Sequence, residues 1–182
     1  MKFLKDFKFQ EIEFKNFVFL NKLEKEIVLN WRNNQSIRNN MYNNCIISSS
    51  EHFKFIEKLN TNKSKFYWLV RDASNLLGVF YLTNVDISNK RAYLGIYTNP
   101  LENKKGRGTK IIKTGMLLYF KKVNFHTLKL EVFEKNNVAI DFYLKVGFKK
   151  EGILRDYVIR NNKWLNVLIL GMIKDEWRKL YE

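Results

Sequence analysis

The stretch NPLENKKGRGTKIIK, residues 99–113, sets Gly106 and Gly108 one residue apart inside a basic loop. Lys104, Lys105, Arg107 and Lys110 surround them, and the chain's only proline, Pro100, stands just upstream. Before the loop, RAYLGIYTN (91–99) reads as a strand that Pro100 stops, because proline cannot donate to a ladder. After it, Ile111, Ile112, Gly115, Leu118 and Tyr119 recur at helical spacing. The loop therefore joins a strand end to a helix start. Amides at such a start lack intrahelical partners, the helix dipole adds partial positive charge, and the terminus binds phosphate. Glycine lets the backbone approach the anion. A flexible basic turn is the competing reading, and the loop alone leaves the two even.

The neighbouring segments place the loop in a fold. FKFQEIEFKNF (7–17) alternates like one strand. Residues 22–34 carry Leu23, Ile27, Val28 and Trp31 at helical spacing. Residues 49–60 begin with a serine cap candidate and put Phe53, Ile56 and Leu59 on one face. Strands are predicted over 65–72, 76–85 and 91–99. A helix follows the loop, then a strand over 126–133, a helix over 137–146 capped by Gly147, and a closing antiparallel pair. The order β, α, α, β, β, β, α, β, α, β, β predicts a three-layer α/β (α+β) domain spanning residues 1–182.

Composition excludes several classes. With 46% apolar and 28% charged residues, the chain is globular. Its longest strongly apolar run, Val167–Ile173, is too short to cross a membrane, and MKFLKDFKF lacks the continuous apolar core of a signal peptide. A single cysteine, Cys45, excludes an internal disulfide and reads as a small packed residue; a cytoplasmic location is expected. The net charge of +15 is spread along the whole chain with no run of five basic residues, so nucleic acid is not the expected partner. His52 and His126 stand apart from each other and from Cys45, so no metal site is expected.

A second segment decides between the two readings of the loop. The run Asn103-Lys-Lys-Gly106-Arg-Gly108 resembles the Q/R-x-x-G-x-G/A motif of the GNAT superfamily of N-acetyltransferases, with Asn103 departing from the usual Gln or Arg. Downstream, EVFEKNNVAIDFYLKVGFKKEG (131–152) resembles that superfamily's second signature, with Asn136, Ala139, Tyr143, Lys145, Gly147 and Phe148 in register. The resemblance covers residues 60–175. It implies a mixed, mostly antiparallel sheet with a V-shaped splay, flanked by helices, and acetyl-CoA as donor.

On that resemblance the backbone from Lys104 and Lys105 through Gly106, Arg107 and Gly108 to Thr109 wraps the CoA diphosphate. Gly95, Ile96 and Tyr97 bond the pantetheine as a false strand, an amide near Ile96 or Tyr97 serves the thioester oxygen, and Asn136 contacts the cofactor. Lys145 or Lys149 is the candidate for the ribose phosphate, against a solvated lysine. Tyr143 matches the general acid: a phenol near pKa ~10 can protonate a departing thiolate whose thiol titrates at ~8.5 or above. Glu131 is the candidate base, since a carboxylate inside a central strand is costly unless it meets water, a partner or substrate. A helix-face aromatic and a lysine salt bridge are their structural alternatives.

The N-terminal third is similar to the acetyltransferases of bacterial pseudaminic acid synthesis, in WRN (31–33), Met41-Tyr42, a helix with His and Phe, and an aromatic strand. The similarity implies acetylation of the 4-amino group of a UDP-linked 4-amino-4,6-dideoxy-N-acetylhexosamine. Met41, Tyr42 and Phe55 suit a uracil ring and a 6-methyl group, Arg32 or a lysine suits the diphosphate, and His52 lines the acceptor side or packs. A homodimer is compatible with this reading. A transferase for protein N-termini or polyamines and a non-catalytic CoA-binding module are the alternatives. A cationic acceptor favours an acidic cleft, and 33 basic residues stand here against 18 acidic ones.

Overall fold

In a computed structural model of the chain, residues 5–73, 75–102 and 104–182 are described. Asn103, the first position of the loop motif, lies outside them. Eight strands form one sheet: β1 (Phe7–Phe9), β2 (Ile12–Asn16), β3 (Phe66–Asp72), β4 (Asn75–Asp86), β5 (Arg91–Thr98), β6 (Thr127–Phe133), β7 (Lys149–Arg160) and β8 (Lys163–Ile173). Their order is β1-β2-β3-β4-β5-β6-β8-β7. Every neighbouring pair is antiparallel except β5 and β6, which run parallel and pair only where Arg91–Tyr93 meets Thr127–Lys129. Beyond Tyr93 and Lys129 the two strands part. β5 stays bonded to β4 as far as Thr98, and β6 to β8 as far as Phe133. Each therefore keeps one satisfied edge and turns one free edge into the gap, which is the expected splay.

Helices cover both faces. α1 (Lys22–Asn33), α2 (Gln35–Arg38) and α3 (Ser49–Leu59) lie in the N-terminal third. α4 (Arg107–Met116), which continues as a π-helical turn over Leu117–Lys122, α5 (Asn137–Val146) and α6 (Lys174–Tyr181) follow later in the chain. Strand alternation separates two cores. Trp68, Val70, Phe80 and Leu82 pack with Ile111, Ile112, Met116, Tyr143 and Trp177, whereas Leu69 and Val79 pack with Val28, Trp31, Ile56 and Leu59. The three-layer expectation holds. α1 and α3 each begin in a capping box, Asn21 with Glu24 and Ser48 with Glu51. Among the described residues no helix is long and apolar enough to cross a membrane.

Local expectations need correction at four places. The single strand over 7–17 is a hairpin, turning at Gln10 with φ 52°. The cap of α3 is Ser48, one residue before the expected start. Its buried face carries His52, Ile56 and Leu59 rather than Phe53. Cys45 is exposed, not packed. The short helix α2 and the terminal helix α6 were not anticipated. α6 is held by Trp177, stacked on Phe120 at 5.4 Å.

α4 sits close against β4 because Gly115 faces the fully buried ring of Phe80. A Cβ at that position would lie 2.1 Å from the ring. Gly115→Ala gains about 1 kcal/mol of helix propensity, but overpacking a closed core costs about 1–3 kcal/mol and the ring has no room to retreat. The variant is expected to be less stable than wild type by about 1–2 kcal/mol in urea unfolding. A variant more stable than wild type would show that the helix–sheet spacing is not set here.

Candidate active site

The parting of β5 from β6 opens a cavity of about 290 Å³. Leu94–Thr98 of β5 form one wall, Glu131–Phe133 of β6 the other, and Asn136, Ala139 and Tyr143 of α5 the far side. Ser36, Ile37, Asn40 and Met41 close it from the N-terminal third. Tyr81 of β4 lines it too. That ring lies against Gly95, its partner across the β4–β5 ladder, so closely that a Cβ on Gly95 would sit 1.9 Å from the ring. Gly95 is therefore needed for Tyr81 to lie there. Tyr81 in turn stacks on Tyr67 at 4.9 Å and 13°. Burial raises the phenols of Tyr67, Tyr81 and Tyr97, so all three stay protonated at neutral pH.

The glycine loop has the geometry of an anion cradle. Gly106 caps α4 in the left-handed region, φ 84°, and offers no side chain to the first-turn amides. A Cβ there would meet nothing within 4 Å. The amides of Arg107, Gly108 and Thr109 lie in the first turn, where helices lack internal acceptors. The basic side chains do less than their number suggests. Arg107 is buried, 4% exposed, and donates to the Glu102 carbonyl at 3.0 Å and to the Glu102 carboxylate. Lys104 pairs with the same carboxylate at 3.2 Å. Lys105 is exposed, so the loop's capacity for an anion rests mainly on its backbone amides.

Glu131 and Tyr143 both reach the cavity. Along β6, Leu128, Leu130 and Val132 are buried and Glu131 points the other way, as its alternation demands. Its Oε2 accepts a 2.8 Å hydrogen bond from the Tyr42 hydroxyl. Tyr143 is 7% exposed, edge-on to Phe142 and Phe148. Burial raises its phenol above the ordinary value, so it holds its proton through neutral and mildly alkaline pH.

Other expected site residues are placed differently. Asn136 caps α5 through Ala139 N at 3.2 Å and donates to Asn40 Oδ1 at 2.9 Å; both ends of its amide are engaged at the cavity rim. Lys145 is exposed on α5 outside the cavity, and Lys149 is tied to Glu176 at 2.6 Å. Met41 lines the cavity, and Tyr42 stands at its edge over Glu131. Phe55 and His52 do not line it. Phe55 packs edge-on against Tyr67 at 5.1 Å, and His52 is buried beside Phe55 and Phe53. The reason is the rotation of α3, whose 52/56/59 stripe faces the sheet. Arg32 donates to the Asn43 carbonyl at 2.7 Å and leaves Nη1 buried with no acceptor. Burial pulls its pKa below the ordinary arginine value, against the opposing pull of the Tyr97, Tyr81 and Tyr67 phenols beside it.

Tyr81 and Asn40 line the cavity and were missed, as were Tyr157 beside Tyr42 and Arg160 beside Asn39. Arg160 of β7 donates to the Asn39 and Arg38 carbonyls at 3.2 and 3.4 Å and covers the Phe133 ring at 5.1 Å. The alternation of β4 marked Tyr81 as one-sided, but only the strand register places it on Gly95.

Residues 20–169 match the family model described as Acetyltransferase (GNAT) domain. Acetyltransferase PseH of Campylobacter jejuni subsp. jejuni serotype O:23/36 is 34% identical over 137 residues, 75% of this chain and 84% of the relative. The spermidine N(1)-acetyltransferase of Escherichia coli K12 is 28% identical over 55% of this chain and 54% of its own. The crystal structure of spermidine N-acetyltransferase from Vibrio cholerae in complex with CoA and spermine superimposes with a TM-score of 0.84 at 21% identity, covering 93% of this chain and 99% of that one.

The cradle can be tested directly. Gly108→Asp adds a carboxylate to the first turn of α4, where a Cβ would lie 3.3 Å from the Phe142 ring, tight enough that the ring must shift slightly. A negative charge there suits the helix dipole but repels a diphosphate. Calorimetry is expected to find at least a tenfold loss of acetyl-CoA affinity in Gly108→Asp and near wild-type affinity in Gly108→Ala, which makes the same ring contact without the charge. Equal affinity in all three proteins removes the diphosphate from this loop.

Proposed function

The chain belongs to the GNAT acetyltransferase family, and from that premise we propose that it acetylates the 4-amino group of a UDP-linked 4-amino-4,6-dideoxy-N-acetylhexosamine in pseudaminic acid synthesis. That the chain is an acetyl-CoA-dependent N-acetyltransferase follows from the family match and the relatives. The observation that carries the finer reading is one cavity bounded by a carboxylate, a buried phenol and a strap, residues 39–44, that lines it with Met41 and sets Tyr42 at its edge. The relationship to the Campylobacter enzyme, at 34% identity, supports it.

Acetyl-CoA supplies an activated acetyl thioester. Gly106–Thr109 are the residues to hold its diphosphate, and the free edge of β5 at Gly95–Tyr97 has the unpaired backbone groups to hold an extended chain beside it. The missing side chain at Gly106 and the unfilled space around it fit that role. Glu131 accepts the proton that the amine sheds as it attacks the thioester carbonyl. Tyr143, kept protonated by burial, gives its proton to the departing thiolate. No residue needs to carry the acetyl group, so transfer is direct. Met41 and Tyr42 at the mouth suit the deoxy methyl group and the flat base. The excess of basic over acidic residues favours a diphosphate-bearing acceptor over a polyamine.

Acetyl-CoA turnover should be measured against UDP-4-amino-4,6-dideoxy-N-acetylhexosamines, spermidine and N-terminal peptides. The UDP sugars are expected to exceed the others in kcat/KM by at least a hundredfold. Tyr143→Phe should lower kcat by ~10²–10⁴-fold with little change in KM. Glu131→Gln should also slow turnover, with a loss that shrinks as pH rises and the amine deprotonates itself. Efficient acetylation of peptides or spermidine with no turnover of any UDP sugar would overturn the acceptor and leave the family intact.

A further inference from the structure

The segment that crosses the cavity mouth, residues 39–44, is clamped from both sides. Upstream, Arg160 holds the carbonyls of Arg38 and Asn39, and Asn136 donates to the Asn40 side chain at 2.9 Å. Downstream, Arg32 holds the Asn43 carbonyl and Arg38 the Asn44 carbonyl, each at 2.7 Å. Bonds from a cation are the stronger kind, and arginine's planar fork fixes direction as well as distance. Such fastening is unusual for a loop whose central tyrosine, Tyr42, is 44% exposed. The ring of Tyr42 rests on Phe133 at 5.8 Å and Tyr157 at 6.1 Å, and its hydroxyl meets one oxygen of Glu131. The other oxygen, Oε1, has no hydrogen bond to a described residue.

From this we infer that Tyr42 is the positioning residue of the proton acceptor: its hydroxyl holds Oε2 of Glu131 so that Oε1 is presented to the acceptor amine. The inference rests on Glu131 being that acceptor. It gives the hydroxyl a role through the carboxylate, beside the contact that the ring offers the acceptor. Tyr42 cannot take the amine's proton itself, because its own phenol is pushed upward by burial and by Glu131 and stays protonated. The groups around Glu131 are few. Tyr42 comes from the strap, with Tyr157 of β7 behind its ring, and Tyr81 from β4. Ile169 lies opposite on β8. Lys129, two residues back on the same face of β6, is already paired with Glu151 at 2.7 Å. Arg160, over Phe133, gives both terminal nitrogens to the strap carbonyls and keeps its Nε buried without an acceptor among the described residues. Removing the Tyr42 hydroxyl therefore leaves Glu131 without a direct donor among the described residues.

The test uses Tyr42→Phe, Glu131→Gln and the double variant of the full chain. Steady-state kcat and KM for the preferred UDP sugar are measured for each protein, with acetyl-CoA affinity by calorimetry as the check that the donor site is intact. At neutral pH kcat should fall about tenfold with KM changed less than twofold, and the double variant should be no slower than Glu131→Gln alone. A Tyr42→Phe protein with wild-type kcat but raised KM overturns the inference and returns Tyr42 to acceptor contact. A Glu131→Gln protein with wild-type kcat instead sinks the reading of Glu131, and this inference with it.

Discussion

The structure turns on the loss of pairing between β5 and β6. A parallel ladder that stops after Tyr93 and Lys129 leaves two strand edges facing each other with their N–H and C=O groups unmatched. An unpaired edge inside a sheet is tolerable only where something else meets it. The two strands can afford to part because each is bonded along its other side, β5 to β4 and β6 to β8. Parallel pairing further demands a crossover, and that crossover is the glycine loop and α4. The gap and the phosphate-suited helix start are thus two results of one topological choice. They lie at the same end of the sheet because both follow the carboxyl end of β5.

Around the cavity and the glycine loop, the arginines serve the backbone: Arg32, Arg38, Arg107 and Arg160 all donate to backbone carbonyls, fastening the strap or bracing the loop. Exposed lysines such as Lys105 and Lys145 carry the surface charge instead. A guanidinium can satisfy several carbonyls at once, while an ammonium is a strongly hydrated point charge that keeps to water. The formal charge of the sequence therefore overstates the field available at the loop, where Glu102 already occupies Arg107 and Lys104.

What could be read in advance follows from how local each feature is. The strand–loop–helix around Gly106 and the Asn136–Gly147 helix are local, and Leu128, Leu130 and Val132 placed Glu131 on its face without a partner strand. The hairpin at 7–17 left a trace that went unread: Phe7 and Phe9 are odd, whereas Ile12 and Phe14 are even, so the alternation changes phase across the turn. Gln10 and Glu11 hid it by carrying no turn residue. His52 displaced Phe53 because both fit a stripe with Ile56 and Leu59, and only the sheet beneath α3 chooses between them. Tyr81 on Gly95 and Arg160 on Asn39 needed the register of strands and a contact across 121 residues. Pairwise facts of that kind have no signature in periodicity.

The arrangement also separates donor from acceptor. β5 contributes Leu94–Thr98 to the cavity, while Glu131, Phe133, Asn136 and Tyr143 all come from the continuous run of β6 and α5. The strap is fastened to that same run, by Asn40 to Asn136, by Tyr42 to Glu131 and Phe133, and by Arg160 above Phe133. On the reading proposed above, the groups that move protons and the surface that selects the acceptor form one mechanical unit, while the donor is held by main chain across the gap. Backbone recognition is indifferent to side chains. On that reading the strap can change at Met41, and with it the acceptor, so long as Tyr42 keeps the carboxylate where the thioester must be.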